Sequence, residues 1–193
     1  MKASSGISYY ESLDAAKDIK PKAIFLAVKP QMMADTLPLY KARFGDEPLY
    51  ISIAAGLTIP FYEQYLGASA RIIRVMPNTP VIVGMGMSAL IANKAAHPDD
   101  KKFVDALFKS VGETLWLENE NLMDPVTAIS GGGPAYVFYF MECLIAAAID
   151  AGFDLTPETK GEWLCFRSTA FPLYIGVRTD SSNDYDVGLS DNH

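Results

Sequence analysis

The stretch SGGGPAY, residues 130–136, combines residue types that could bind an anion or shape a tight connection. Three consecutive glycines bring several backbone N–H groups close to the start of an apolar run, and Pro134 suits the first turn of a helix. Backbone N–H groups at a helix N-terminus attract phosphate and carboxylate groups. The same residues would equally serve as a link between two domains. The local sequence leaves both interpretations open.

A second set of candidates follows three short apolar runs, AIFLAV, LYISIA and RIIRVM. Runs of this kind are typical of strands that are buried on both faces of a parallel sheet. Lys29, Ala55 and Asn78 come just after these runs. Because the carboxyl ends of parallel strands meet at one edge, where open α/β sheets bind their ligands, we expect these three residues to line one crevice.

Several residues resemble functional motifs but are better explained as parts of the fold. Residues 84–89 fit the pattern G-x-G-x-x-A, but they precede an apolar run and do not join a strand to a helix, as a dinucleotide loop would. His97 precedes Pro-Asp-Asp, where helix capping or exposure is favoured over catalysis. Cys143 and Cys165 have apolar neighbours and no metal-binding spacing, so we predict that they pack and that no metal is bound.

The composition argues against some partners and favours one compartment. The formal net charge is −7, from 23 acidic and 16 basic side chains, and no run of lysine or arginine stands out. We therefore expect no nucleic acid and no anionic membrane surface among the partners. Two cysteines without a disulfide pattern, and the absence of an apolar leader in the first residues, predict a cytoplasmic protein.

The elements that must position these residues alternate along the first part of the chain. Polar stretches typical of helices, residues 32–44 and 60–66, separate the three apolar runs, and Thr58 is a candidate N-cap for the second. Further strands are predicted at residues 87–92 and 113–117, with a helix that begins near His97. The alternation predicts an α/β fold with parallel pairing of the first three strands.

The alternation of short strands and helices stops at Glu120, so we predict a domain boundary after Asn119. Tyr136 to Ala151 is apolar nearly all round and is followed by Gly152, which predicts a helix in a core or a subunit interface. It is short for a membrane span, which needs about 20 apolar residues, and it contains Glu142. We expect three regions, residues 1–119, 120–159 and 160–193, the last being a poorly ordered tail.

Four motifs, in this order, resemble those of pyrroline-5-carboxylate reductase: FLAVKPQ, SIAAGLTI, RVMPNTPVIVGMG and DPVTAISGGGPAYVF. The resemblance covers roughly residues 22–155. It implies a partial Rossmann-type domain for NADP or NAD, followed by a partial all-helical domain that forms a homodimer, here through the Tyr136 to Ala151 helix. It also implies the reduction of 1-pyrroline-5-carboxylate to L-proline, the last step of proline biosynthesis.

The resemblance also implies functions for individual residues, to which the crevice argument adds Asn78. The residues expected to contact the dinucleotide are Ala27, Val28, Lys29, Pro30, Ile53, Ala54, Ala55 and Asn78. The residues expected near the imino acid substrate are Glu120, Ser130, Gly131 and Gly132. Gly132 stands where the family usually has a hydroxyl or thiol residue. No residue is assigned a catalytic role.

Two departures from the family pattern lead to competing expectations. No strand with a G-x-G-x-x-G loop precedes Ile24, and the sequence after Glu158 does not match the family's helices and substrate loop. We therefore expect a chain truncated at both ends, which is either a reductase completed by a partner or an inactive remnant that binds a dinucleotide or a subunit. A different Rossmann reductase, such as a prephenate dehydrogenase relative, is disfavoured by the SGGGPAY loop.

Overall fold

The computed structural model describes residues 8–16 and 18–152, together with the backbone of residues 166–167 and 174–175. By its contacts the chain divides into two units, residues 1–134 and 135–193. The boundary predicted after Asn119 and the division after Pro134 differ, and the predicted domain limits remain predictions. The proposed tail, residues 160–193, lies almost wholly outside the described residues.

A five-stranded sheet forms the centre of the first unit, in the order β1-β2-β3-β4-β5. The strands are β1 Ala23–Leu26, β2 Leu49–Ser52, β3 Arg71–Met76, β4 Gly86–Ala92 and β5 Gly112–Trp116. The first three strands are parallel, as predicted, and β4 pairs with β3 in the antiparallel sense. The link of residues 77–85 is shorter than the dozen or so residues that a parallel crossover needs, which explains the reversal. β5 is again parallel to β4.

The described residues form five α-helices: α1 Met33–Phe44, α2 Ile59–Leu66, α3 Pro98–Lys109, α4 Met123–Val126 and α5 Gly133–Asp150. Thr58 caps α2 as predicted, because its Oγ1 accepts a hydrogen bond from the Phe61 N–H at 3.4 Å. His97 occupies the N-cap position of α3, where its N–H donates to the Asp100 carboxylate at 2.9 Å. This position agrees with the predicted capping role of His97.

Two apolar clusters cover the two faces of the sheet. Along β2 the side chains alternate, so Tyr50 joins Met33 and Leu37 of α1 in one cluster, whereas Ile51 joins Val104 of α3 in the other. All five side chains are fully buried. Burial of each large apolar side chain contributes roughly 1.5–3 kcal/mol. These two layers fix the positions of the strand ends that carry the candidate site.

The glycine-rich stretch is helical, which differs from both interpretations of it as a loop. A single π-type turn, Thr127–Gly131, follows α4, and Gly132 has helical angles of φ −82° and ψ −23°. The Gly132 N–H donates to the Thr127 carbonyl at 2.9 Å. The interpretation as an anion cradle is therefore wrong for this N–H, because it is already used within the helical segment.

The second unit contains α5, which begins three residues before the predicted start and ends at Asp150, one residue before the predicted end. No residue of α5 is buried, and large apolar side chains such as Tyr139 and Phe140 are 69% and 63% exposed. The helical segment Glu120–Asp150 has the length and hydropathy that a membrane-crossing helix needs, a criterion that core helices of other proteins also meet. Within the part of the chain that the structure describes, the apolar side chains of α5 therefore stay at least partly exposed.

Candidate functional site

The predicted dinucleotide residues lie together at the carboxyl edge of the parallel strands. Residues 27–30 follow β1 directly, and residues 53–55 follow β2. The register pairs Leu26 with Ser52 and Ser52 with Arg74, so the ends of β1, β2 and β3 are level. The Ile53 N–H donates to the Leu26 carbonyl at 3.3 Å, which joins the first two loops. The carboxyl ends of the three strands thus meet at one edge, and a crevice lined by the residues that follow them stays a prediction.

This edge has several features that suit a dinucleotide. Ala27, Lys29 and Ala55 are exposed, and Ala54 is half-buried. Small side chains let the backbone come close to a ligand, and the Lys29 ammonium is an exposed cation that can pair with a phosphate. Among the described residues the edge carries no acidic side chain at these loop positions. The residues present therefore fit a bound dinucleotide, although their contacts with one stay a prediction.

A buried polar pair supports the second of these loops. The hydroxyls of Ser52 and Tyr62 lie 2.5 Å apart, and Ser52 Oγ also accepts a hydrogen bond from the Ala54 N–H at 3.2 Å. Both side chains are buried, and burial raises the pKa of the Tyr62 phenol. The pair fixes the turn after β2 to helix α2, so the Ile53 to Ala55 segment has a defined position.

Asn78 and Ser130 connect the two sets of predicted residues. Asn78 Nδ2 lies 3.4 Å from Ser130 Oγ, and Asn78 Oδ1 accepts a hydrogen bond from the Met87 N–H at 2.8 Å. Gly131 lies close to the last residue of β3, because a Cβ on it would lie 2.9 Å from the Met76 Cε. The π-type turn thus lies against the end of β3, and a residue predicted for the cofactor touches one predicted for the substrate.

Glu120 is held by two groups from the sheet unit. Its Oε1 accepts a hydrogen bond from the Ile59 N–H, the first residue of α2, at 2.7 Å. The same oxygen accepts a hydrogen bond from Arg74 Nη1 on β3. The Glu120 side chain remains 23% exposed, whereas the Arg74 side chain is only 5% exposed. A predicted substrate residue therefore lies beside the end of β3.

Sequence reasoning missed Arg74, although a signal was present. The run RIIRVM places a charged residue inside a strand that is predicted to be buried on both faces. Lysine and arginine are almost never fully buried unless they are paired, so an arginine at this position predicts an acidic partner nearby. What the sequence could not supply was the identity of that partner, which lies 46 residues further along the chain.

A cavity in the sheet unit lies away from the predicted site residues. It has a volume of about 620 Å³ and is lined by the first residues of β1, β2 and β3, namely Ala23, Leu49 and Arg71, with Lys22 and Phe103 beside them. None of the predicted site residues lines it. The candidate site lies at the opposite ends of these strands. No group of three or more metal-ligating side chains occurs within the described residues.

Comparisons with known proteins converge on one family. The pyrroline-5-carboxylate reductase dimerisation family matches residues 120–157. The pyrroline-5-carboxylate reductase of Haemophilus influenzae is 39% identical over 155 residues, which cover 76% of this chain and 57% of that protein. That of Vibrio alginolyticus is 43% identical over 131 residues, 68% of this chain and 48% of that protein. The chain thus spans about half the length of the curated relatives it matches.

Solved structures agree with the sequence relatives. The pyrroline carboxylate reductase of Plasmodium falciparum, solved with NADP bound, is similar with a TM-score of 0.69 and 37% identity over 79% of this chain and 58% of that one. The reductase of Coxiella burnetii gives a TM-score of 0.64 at 35% identity, over 72% of this chain and 52% of that one. Prephenate dehydrogenase from Aquifex aeolicus gives a TM-score of 0.53 over 72% of this chain and 54% of that one. At 16% identity, this likeness shows the fold alone.

Proposed function

We propose that this chain, which belongs to the pyrroline-5-carboxylate reductase family, carries part of the dinucleotide-binding and imino acid-binding machinery of such an enzyme. The reaction is the reduction of 1-pyrroline-5-carboxylate to L-proline. NADPH is the proposed reductant, because the Plasmodium relative was solved with NADP bound, and NADH is the alternative. We place the reaction in the cytoplasm, in keeping with the two cysteines and the lack of a disulfide pattern.

The observation that carries the proposal is the contact between Asn78 and Ser130. The first follows β3 at the dinucleotide edge, and the second belongs to the turn that the family resemblance assigns to the substrate. Hydride transfer requires the donor and acceptor carbons to approach within about 3–3.5 Å, so the two binding regions must adjoin. The fold brings them together from positions 52 residues apart in the sequence.

The residues of the chain have separable tasks in this scheme. The exposed alanines after β1 and β2 let the dinucleotide approach the backbone, and Lys29 pairs with one of its phosphates. The bound dinucleotide supplies the hydride that reduces the imine carbon. The substrate reacts as the protonated imine, and Glu120, with one oxygen held by Arg74 and Ile59, accepts a hydrogen bond from the N–H of that iminium. Because the nitrogen already carries its proton, hydride addition to the iminium carbon gives the ring amine of L-proline. Gly132 and Ser130 border the same region.

We also propose that α5 forms a homodimer with a second copy of the chain. The matched dimerisation region includes all of α5, and apolar side chains from Tyr136 to Phe140 and Ile149 are exposed in the single chain. Contiguous exposed apolar surface of this extent marks an interaction site. Size-exclusion chromatography with light scattering should give twice the mass of the 21.1 kDa chain. A monomer at micromolar concentration would contradict the dimer.

The enzymatic proposal is tested by titrating the purified chain with NADPH and following nicotinamide fluorescence, then adding pyrroline-5-carboxylate and recording absorbance loss at the nicotinamide band. We expect saturable binding followed by formation of L-proline, which is quantified separately. Binding without turnover would reduce the function to that of a dinucleotide-binding remnant. A folded chain that binds neither NADPH nor L-proline would overturn the proposal.

A further inference from the structure

Arg74 is an unusual residue for the place it occupies. It lies on β3 between Ile73 and Val75, both fully or almost fully buried, and is itself only 4% exposed. Withdrawing a guanidinium from water is costly unless it is paired and hydrogen-bonded. An apolar residue would fit the same strand position at no such cost. A role of Arg74 besides stability would account for an arginine at this position.

The partner of Arg74 has one oxygen engaged and one available. Glu120 Oε1 accepts both of the carboxylate's hydrogen bonds, from the Ile59 N–H at 2.7 Å and from Arg74 Nη1. Glu120 Oε2 accepts no hydrogen bond within the part of the chain that the structure describes, and the side chain is 23% exposed. The arrangement fixes the carboxylate through one oxygen and leaves the other able to accept a hydrogen bond from a ligand.

Arg71, three residues earlier on the same strand, shows a different arrangement. Its guanidinium pairs with Asp100 at 2.7 Å and also donates to the Glu47 carbonyl, and its side chain is 24% exposed. Both of these partners lie at the amino ends of the strands, next to the cavity and away from the candidate site. One strand therefore carries two arginine–carboxylate pairs, of which only one adjoins the predicted substrate residues.

From these contacts we infer that Arg74 is a positioning residue, which fixes Glu120 so that its second oxygen accepts a hydrogen bond from the ring N–H of a protonated cyclic imine or a cyclic amino acid. The inference rests on the proposed function. A charge-assisted hydrogen bond from a fixed carboxylate is stronger than one from a mobile carboxylate, because less conformational entropy is lost on binding. The Ile59 N–H, at the start of α2, completes the support from a second element.

The test compares Arg74→Gln and Arg74→Lys with the matched control Arg71→Gln, all in the full chain. The readouts are kcat and KM for pyrroline-5-carboxylate, the Kd for L-proline by calorimetry, the Kd for NADPH and the melting temperature. We expect Arg74→Gln to weaken imino acid and L-proline binding by roughly 10- to 100-fold, the range for losing a hydrogen bond to a charged group, with the Kd for NADPH unchanged. Arg71→Gln should lower the melting temperature and leave KM unchanged.

Arg74→Lys keeps the charge and loses the planar fork, so it should restore part of the affinity, and it serves as the second variant if Arg74→Gln does not fold. If Arg74→Gln folds and its KM and Kd values equal those of the Arg71→Gln and wild-type chains, the inference is overturned while the proposed function stays intact. If Arg74→Gln does not fold, the same equality for Arg74→Lys overturns it. A folded wild-type chain that binds neither L-proline nor NADPH would overturn the proposed function, and the inferred ligand with it.

Discussion

The sheet unit and helix α5 are both rich in apolar residues, yet they use them in opposite ways. In the sheet unit, Tyr50, Ile73 and Leu90 are fully buried by elements of the same chain. In α5, no residue is buried, and Phe140 is 63% exposed. The contrast shows that the same residue types stabilise the fold of one chain in the first region and, in our proposal, the association of two chains in the second.

The largest effect is expected from a substitution in the buried core of the sheet unit. Leu90, on β4, packs with Ile73 and Val104 in the second core cluster. Leu90→Ala should lower the free energy of unfolding by about 2–5 kcal/mol, because it removes buried methyl groups and leaves a cavity. Chemical denaturation followed by circular dichroism measures this change. A loss below that of an exposed substitution would contradict the assignment of Leu90 to the core.

A backbone substitution tests how closely the strands approach one another. Gly112 has φ +147°, and a Cβ on it would collide with the backbone of Gly86 on the neighbouring strand. Gly112→Ala should therefore destabilise the chain by roughly 1–3 kcal/mol. The control is Gly133→Ala in α5, where nothing lies within 4 Å of the added Cβ and φ is not positive, so thermal unfolding should not change or should shift slightly upward.

Phe140→Ala tests the exposed apolar surface of α5. We expect the free energy of unfolding of the separate chain to change by less than about 0.5 kcal/mol, because the side chain is exposed there. The dimer should dissociate at a concentration roughly 10-fold higher, since one large apolar side chain is lost from the proposed interface. Analytical ultracentrifugation measures both states. An unchanged dimerisation constant would remove Phe140 from the interface.

The smallest effect is a pH-dependent one at α3 and β5. The hydrogen bond from Lys109, and then that from Thr114, lowers the pKa of the Asp105 carboxyl below its ordinary value of 3.8. A lowered folded-state pKa means that the pair stabilises the fold above pH 3.8, and that this contribution disappears as the pH falls through 3.8 and the lower folded pKa. Asp105→Asn should cost about 0.5–1 kcal/mol near neutral pH and nothing at the acid end.

Urea denaturation at several pH values checks this sign. Asp99→Asn is the control, because the Asp99 and Lys102 side chains are 92% and 79% exposed and their ion pair should contribute almost nothing. If the free energy of unfolding of the Asp105→Asn chain differed from that of wild type by the same amount at every pH value, the pH-dependent contribution would lie elsewhere.

Much of the strand and helix pattern could be predicted, because it depends on local periodicity. The bounds of β1, β2 and β3 lie within two residues of the apolar runs. The N-cap of α2 could also be predicted, because Thr58 has a hydroxyl that accepts a hydrogen bond from the first turn. The reversal of β4 was not predicted, since the apolar run GMSALIA is equally suited to either direction. The helical state of Gly131 and Gly132 was missed for a similar reason, because the local preference of glycine for turns was overridden by the surrounding helix.

The sequence by itself determined the family resemblance, the alternation of the sheet unit and the strand ends that Lys29, Ala55 and Asn78 follow, because these depend on residue types and short spacings. Only the tertiary structure decided that Asn78 meets Ser130 and that Arg74 meets Glu120. Each of these pairs joins segments that are about 50 residues apart, and their contact depends on how the strands and helices pack together. No local pattern in the chain encodes such a pairing.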